Sequence, residues 1–249
     1  MVHSPEKVNK ILDELRQRIK DGEYGRSGRL PSRIQLAKEF DTSAETINKA
    51  INVLRAEGSL ITKGRAVAVS PPPIRVPGMM ESFAKHLRRM GLEPLVEYIG
   101  EPERLVLSGE NARTFGLPEG IEVVRRMRRQ GTELQPYRLL ESFYPWDLVG
   151  DELLQQMKVE PEFVITEEIE ARTGLFHTRV HERVIARYPT ASERELLHLL
   201  NQAPVLEITR VGQADSGVVT MFSRIVWNGS LCELTYDYPT RDVRREVRP

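Results

Sequence analysis

Arg126 and Arg128 stand two residues apart in a β-prone run, residues 121–130. That spacing puts both side chains on one face of a strand. Two planar guanidinium forks side by side match the oxygens of a phosphate or carboxylate. Arg125 and Arg129 should then point the other way, and the alternative for Arg126 and Arg128 is a pair of surface ion pairs. His177 and His181 have the i, i+4 spacing that could share a metal on a helix. Their segment reads as a strand, where four residues separate the rings by about 13 Å, so both are expected to face solvent. The single cysteine, Cys232, excludes an intrachain disulfide framework and reads as a small core residue. No phosphate-cradling Gly-rich loop, H-E-x-x-H or G-x-S-x-G occurs in the chain. The expectation is a binding protein without catalytic residues, cofactor or metal.

A second set of residues suits double-stranded DNA. Residues 30–69 read as helix, turn, helix and a two-stranded ribbon. Ser32 with Gln35, and Thr42 with Glu45, each fit a capping box at a helix start. The first of these helices has Ile34, Leu36, Ala37 and Phe40 available for burial, and the second has Ile47, Ala50, Ile51 and Leu54 on one face. The opposite face carries Ala44, Glu45, Asn48, Lys49 and Asn52, before Gly58 stops the helix. The ribbon, residues 59–62 and 66–69, turns at Lys63-Gly64-Arg65. A small polar helix face can enter the major groove, and a basic wing tip can reach phosphate or the minor groove. An opening helix over residues 5–21 should pack beneath.

The 249 residues suffice for two cores, and 40% hydrophobic with 29% charged residues is ordinary for a globular protein. Zero formal net charge conceals an asymmetry: residues 1–75 hold 14 Lys/Arg against 9 Asp/Glu, a net of +5, and the remainder carries −5. The basic part suits phosphate and the acidic part would be repelled by it. Neither a signal peptide nor an 18-residue apolar run is found, so a cytoplasmic protein with no membrane partner is expected. Ser70-Pro71-Pro72-Pro73 breaks the chain. The predicted domains are 1–70, a linker at 71–76, and 77–249. The last reads as an α+β domain of five or six strands, with helices near 81–90, 110–115, 147–157, 162–173 and 191–201. It ends in a hairpin, 218–227 with 231–238, around Asn228-Gly229.

Leu30-Pro31-Ser32, Leu36-Ala37, Ser43, Thr46, Ala50, Leu54 and Glu57-Gly58 resemble the signature of the GntR superfamily of bacterial transcription regulators. Ser82-Phe83 with Gly91, Arg126-x-Arg128, Leu140-Glu141-Ser142, Pro145 and the turn Ala203-Pro204-Val205-Leu206 resemble the effector-binding (UTRA) domain of its HutC branch. The strand Ser223–Trp227 before Asn228-Gly229 fits the same domain. The resemblance implies a winged helix-turn-helix joined by the proline-rich linker to a chorismate-lyase-like α+β domain with an antiparallel sheet. It implies a homodimer on a near-palindromic operator, switched by a small effector.

By that resemblance Ser32, Thr42, Ser43 and Glu45 belong to the DNA-binding element. Lys49, Lys63 and Arg65, with Gly64 at the wing tip, would meet phosphates. Arg33 would meet phosphate or base, and Ala44, Thr46 and Asn48 base edges. In the second domain Arg126 and Arg128 would hold an anion. Ser82, Phe83 and Ala84 would offer backbone N–H groups, and Glu141 would accept from the ligand or form a structural salt bridge. Met221, Ser230 and Trp227 stand where glutamate, aspartate and tyrosine are frequent, and Ser223 lies on the same strand. These departures imply a less polar pocket or a different ligand, so the resemblance carries over an anion site and not a sugar. The readings left open are an effector-responsive repressor, a constitutive repressor whose second domain only dimerises, and a DNA-binding module fused to a small-molecule enzyme.

Ala44 and Asn48 stand where the family usually has guanine-reading arginines. Asparagine suits adenine and an alanine methyl suits a thymine methyl. Half-sites selected from random DNA are therefore expected to depend less on guanine than is usual for the family; a guanine-dominated core would contradict this.

Overall fold

The computed structural model describes residues 5–24, 28–63, 66–70, 74–77, 82–133, 135–199 and 203–236. Gly64 and Arg65 of the predicted wing tip, and Pro71, Pro72 and Pro73 of the predicted linker, lie outside them.

The amino-terminal domain comprises α1 (Pro5–Lys20), α2 (Arg33–Glu39), α3 (Ala44–Ala56) and the antiparallel pair β1 (Leu60–Lys63) and β2 (Ala66–Val69). Ile11, Leu12 and Leu15 of α1, Leu36 of α2 and Ile47, Ala50, Ile51 and Leu54 of α3 meet in one core with Leu30 and Leu60. Ile34 faces outward instead of joining it, with two-thirds of its surface exposed. Ser32 and Gln35 form the expected capping box. The cap of α3 is Ser43, whose hydroxyl accepts from the Thr46 N–H, so the expected Thr42–Glu45 box is displaced by one residue. Asp41 takes the left-handed conformation in the turn before it (φ 45°), which aspartate tolerates better than most residues. After α3 the Ser59 N–H reaches Leu54 O (2.8 Å) and the Gly58 N–H reaches Arg55 O (3.1 Å). This Schellman closure needs a positive φ, and Gly58 supplies it at 77°.

The carboxy-terminal domain runs β3 (Ile74–Pro77), α4 (Phe83–Arg89), β4 (Leu95–Tyr98), β5 (Glu103–Val106), α5 (Gly109–Phe115), β6 (Glu122–Gly131) and β7 (Pro136–Pro145). It continues through α6 (Trp146–Val159), α7 (Ile165–Thr173), β8 (Arg179–Arg187), α8 (Ala191–Leu196), β9 (Val205–Gln213), β10 (Val219–Asn228) and β11 (Cys232–Thr235). Seven strands form an antiparallel sheet in the order β4-β6-β7-β10-β9-β8, with β5 also on β6. Cross-strand register sorts the side chains. Arg126 faces Ser142, Arg128 faces Leu140 and Gln130 faces Arg138 across β6 and β7. Ser223, Ile225 and Trp227 continue those rows on β10. Helices α4, α6 and α7 cover this face. The other face is covered by α5 and α8, around Phe143, Phe222 and Leu139.

Three expectations need correction. Residues 74–76, assigned to the linker, lie in β3, and Ile74 is wholly buried in the second domain's core. The predicted hairpin at Asn228-Gly229 does not form. Asn228 Oδ1 accepts from the Ser230 N–H (3.1 Å), and Gly229 donates to Pro204 O (3.1 Å). The chain turns away through a 3-10 turn, and β11 pairs in parallel with β3. Helices α7 and α8 are also shorter than the periodicity predicts.

Phe143 stacks on Phe222 (centroids 5.2 Å) and meets Phe115 edge-on at 5.6 Å. Phe143→Ala is expected to cost about 3–5 kcal/mol in urea unfolding of the full chain. Ser32→Ala, which removes only a helix cap, is expected to cost about 1 kcal/mol. Equal losses would contradict this placement of the core.

Candidate functional site

On the amino-terminal domain, Arg33, Ser43, Ala44, Glu45 and Lys49 are exposed and Asn48 is half-buried. Ser32 is exposed and Thr42 half-buried beside them. Lys49 and Glu45 pair at 3.0 Å across one helical turn. An exposed pair of this kind is weak, so Lys49 can exchange it for a phosphate. Thr46 corrects its assignment to a base edge: it is 1% exposed, and its hydroxyl lies 2.9 Å from that of Ser43. Ion pairs at the back brace the element, Arg16 to Glu57 (2.5 Å) and Arg18 to Glu39.

The second candidate is a cavity of about 300 Å³ between the sheet and helices α4 and α7. The even-numbered face of β6 and β7 supplies Arg126, Arg128, Gln130, Arg138, Leu140, Ser142 and Tyr144. Met221, Ser223 and Ile225 come from β10, and Arg210 with Gly212 from β9. Ser82 and Phe83 close one side at the start of α4. The Ser82 hydroxyl caps that helix by accepting from the Lys85 N–H (3.2 Å).

Three of the arginines are buried and, among the described residues, form no ion pair. Arg126 donates to Phe163 O (2.9 Å) and to the Tyr144 hydroxyl (3.4 Å). Arg128 donates to Pro161 O (2.9 Å). Arg138 donates through Nε to Gln130 Oε1 (2.7 Å), and its guanidinium lies 4.3 Å from the Phe83 ring centre and 4.9 Å from that of Trp227. Nε of Arg126, Nε of Arg128 and Nη1 of Arg138 are buried without a hydrogen-bond partner, as are Ser223 Oγ and Trp227 Nε1. Arg210, in contrast, pairs with Glu182.

Crowding of like charge in a dry site disfavours protonation. Burial, then the neighbouring Arg126, pushes the Arg128 guanidinium down to about 9. Burial, then Arg210 and Arg128, holds Arg138 well below the usual arginine range. Burial alone would raise the Tyr144 phenol, but Arg126 and Arg128 outweigh it and lower its pKa. The cavity is thus a preformed excess of positive charge. Of the carboxylates at its rim, Glu162 pairs with Arg88 (2.8 Å) and Glu167 with Lys85 (2.8 Å), while Glu170 lies 3.2 Å from Nδ1 of His177.

Of the residues expected at an effector site, Ser82, Phe83, Arg126, Arg128, Met221 and Ser223 line the cavity. Trp227 backs it through Arg138, and Ala84 is buried without lining it. Glu141 is the correction. It sits opposite Met127, on the other face of the sheet, and pairs with Arg125 (2.7 Å) and Arg224 (2.9 Å). Side chains alternate along β7, so a position one residue from Ser142 cannot share its cavity. Arg125 and Glu141 form the structural salt bridge that the sequence left open. His177 is the second correction: it lines the cavity, half-buried, with Nε2 2.7 Å from the Thr220 hydroxyl. His181 is exposed.

Arg138 and Arg210 were missed. The available signal for Arg138 was an arginine inside the apolar run Pro136–Pro145, at the parity of Ser142. Burial pushes the Cys232 thiol up to about 12, which disfavours the thiolate. Among the described residues no cluster of three or more His, Cys, Asp or Glu is placed to hold a metal, and no helix is long and apolar enough to cross a membrane.

Residues 7–69 match the family described as bacterial regulatory proteins, gntR family, and residues 89–232 match the UTRA domain. The chain is 27% identical over 228 residues to the HTH-type transcriptional repressor NagR of Bacillus subtilis (strain 168), covering 88% of this chain and 89% of that one. It is 24% identical over 210 residues to the HTH-type transcriptional repressor PhnF of Mycolicibacterium smegmatis, covering 82% of each. The crystal structure of PhnF from Mycobacterium smegmatis has the same fold, with a TM-score of 0.62 at 21% identity over 93% of this chain and all of that one. A winged domain with an exposed polar helix face, followed by a sheet that encloses a cavity, agrees with both matches: the chain belongs to the gntR family of DNA-binding bacterial transcription regulators, in the branch that carries a UTRA domain.

Proposed function

We propose that this regulator is an effector-responsive repressor, and that a small anion in the arginine cavity is its signal. One observation carries the reading: three buried arginines with no carboxylate partner among the described residues, facing one cavity. Burying an unpaired cation costs several kcal/mol, so a bound anion returns stability that the ligand-free fold lacks. The relatives named as repressors support the direction of regulation.

The protein acts in the cytoplasm, where a homodimer sets two winged domains in successive major grooves of a near-palindromic operator, about 34 Å apart. Lys49 and Arg33 meet phosphates, and Asn48 and Ala44 meet base edges. Lys63, Gly64 and Arg65 form the wing contact. The edge strand β8 supports self-association, since it exposes Val180, Val184 and Ile185 beside Phe176.

The path from cavity to DNA is short. Trp227 stacks on Arg138, and three residues later Ser230 lies against Gly58, where an added Cβ would come within 2.7 Å of Ser230 Cβ. Gly58 ends the helix proposed to read the DNA. An anion that moves Arg138 therefore acts on the orientation of α3. To switch occupancy it must bind one arrangement better than the other.

Thermal unfolding of the full chain with sugar phosphates, small carboxylates and inorganic phosphate tests the site. A ligand at 100 times its Kd should add about 2.7 kcal/mol of stability. The gain should vanish in Arg126→Ala, and the same ligand should change affinity for a selected operator. Stabilisation that survives Arg126→Ala, or leaves DNA affinity unchanged, would contradict the proposal and favour a constitutive repressor.

A further inference from the structure

Cross-strand register lines up three arginines on one face of the sheet. Arg126 and Arg128 stand two residues apart on β6, and Arg128 faces Leu140 on β7. Arg138 faces Gln130, so it is the diagonal neighbour of Arg128. Each step of this file is about 7–8 Å at the backbone, with Arg128 in the middle. All three line the cavity, and each keeps one buried N–H donor without a partner: Nε of Arg126, Nε of Arg128 and Nη1 of Arg138.

The groups that do touch the file are neutral. Arg126 and Arg128 donate to the carbonyls of Phe163 and Pro161, and Arg138 donates to the side-chain oxygen of Gln130. The Phe83 and Trp227 rings beside Arg138 attract a cation without neutralising it. Leu140 and Ile225, in the row of Arg128, offer no acceptor. The charges are felt along the file. Beyond burial, Arg126 lowers the pKa of Arg128, and Arg210 and then Arg128 lower that of Arg138. Arg210 is itself balanced by Glu182. The cavity therefore gathers three contiguous positive charges around about 300 Å³. A monovalent anion would leave two of them uncompensated and a divalent anion one, which is costly in a buried site.

Resting on the reading of this cavity as the effector site, we propose that its ligand is a compact anion with three negative charges on neighbouring groups, a tricarboxylate or a condensed phosphate. Its anionic oxygens span the file from Arg126 through Arg128 to Arg138. Arg138 is thereby a specificity-determining residue: it selects for the third charge.

Calorimetric titration of the full chain at fixed ionic strength tests this with valerate, 3-methylglutarate and propane-1,2,3-tricarboxylate, which raise the charge stepwise on one carbon chain. Inorganic phosphate and pyrophosphate make a second series. In at least one series the trivalent member is expected to bind at least about tenfold tighter than the member below it, and the series that responds names the chemistry. Arg138→Gln should cut that advantage to less than about threefold while leaving 3-methylglutarate and phosphate binding in place. Arg138→Met, equally neutral, serves if the glutamine variant fails to fold. Arg138→Lys, which keeps the charge, should retain the preference, and Arg126→Gln should weaken every member. Binding that gains nothing from the third charge in either series, or an advantage that survives the neutral variants, overturns the trivalent ligand. Binding of the lower-charged anions alone does so while leaving the anion-responsive regulator intact. Failure of every anion to bind overturns both.

Discussion

The structure depends on an imbalance: buried guanidinium groups on one face of a sheet, with their carboxylates elsewhere. Arg126, Arg128 and Arg138 keep their hydrogen bonds to backbone carbonyls and an amide, yet each retains a buried donor without a partner. Glutamates are available nearby, but alternation along the strands and pairing at the rim keep them away. Glu141 is turned to the opposite face, and Glu162, Glu167 and Glu170 are engaged by Arg88, Lys85 and His177. A fold selected for stability alone would have paired or replaced these cations. Their persistence around one cavity is the structural argument for a ligand that supplies negative charge.

The remaining architecture serves that site. Strands β6, β7, β10 and β9 hold the side chains in fixed rows, while α4, α6 and α7 pack over this face. The salt bridges from α4 to α7 and to the α6–α7 turn, Lys85–Glu167 and Arg88–Glu162, are solvent-exposed and weak, so this cover can shift when the cavity fills. The return of β11 onto β3 brings the segment that follows the DNA-binding domain into the core of the carboxy-terminal domain, through Ile74. Residues 74–76 of the segment that the sequence suggests is an extended spacer therefore belong to a strand. The carboxy-terminal domain and the end of α3 meet at Ser230 and Gly58.

Local signals explain which parts were legible. The winged domain could be read almost entirely, because caps, helix periodicity and a glycine stop act within a few residues. Its misreadings were of single residues: Ser43 instead of Thr42 as cap, Thr46 turned inward with its hydroxyl beside that of Ser43, and Ile34 facing outward. In the carboxy-terminal domain, the spacing of Arg126 and Arg128 gave part of the cavity's lining. Arg138 and Arg210 escaped, because their convergence depends on which strands are neighbours, and β7 meets the β9–β10 pair only after the long connection from Pro145 to Val205. Glu141 was misplaced because strand parity, not proximity in sequence, decides which face a residue serves. Asn228-Gly229 carried a strong hairpin signal, and the tertiary bond from Gly229 to Pro204 overrode it.

The central claim is that the arginine cavity sacrifices stability to await an anion, and Arg128→Met tests it most directly. Methionine fills similar volume without charge. If Arg128 is an uncompensated cation, the ligand-free full-length variant should be more stable than the wild type in urea unfolding, by about 1–3 kcal/mol, and should no longer be stabilised by the wild type's anionic ligand. A variant less stable than the wild type would mean that Arg128 is a structural strut, its bond to Pro161 outweighing its burial, and would contradict the account.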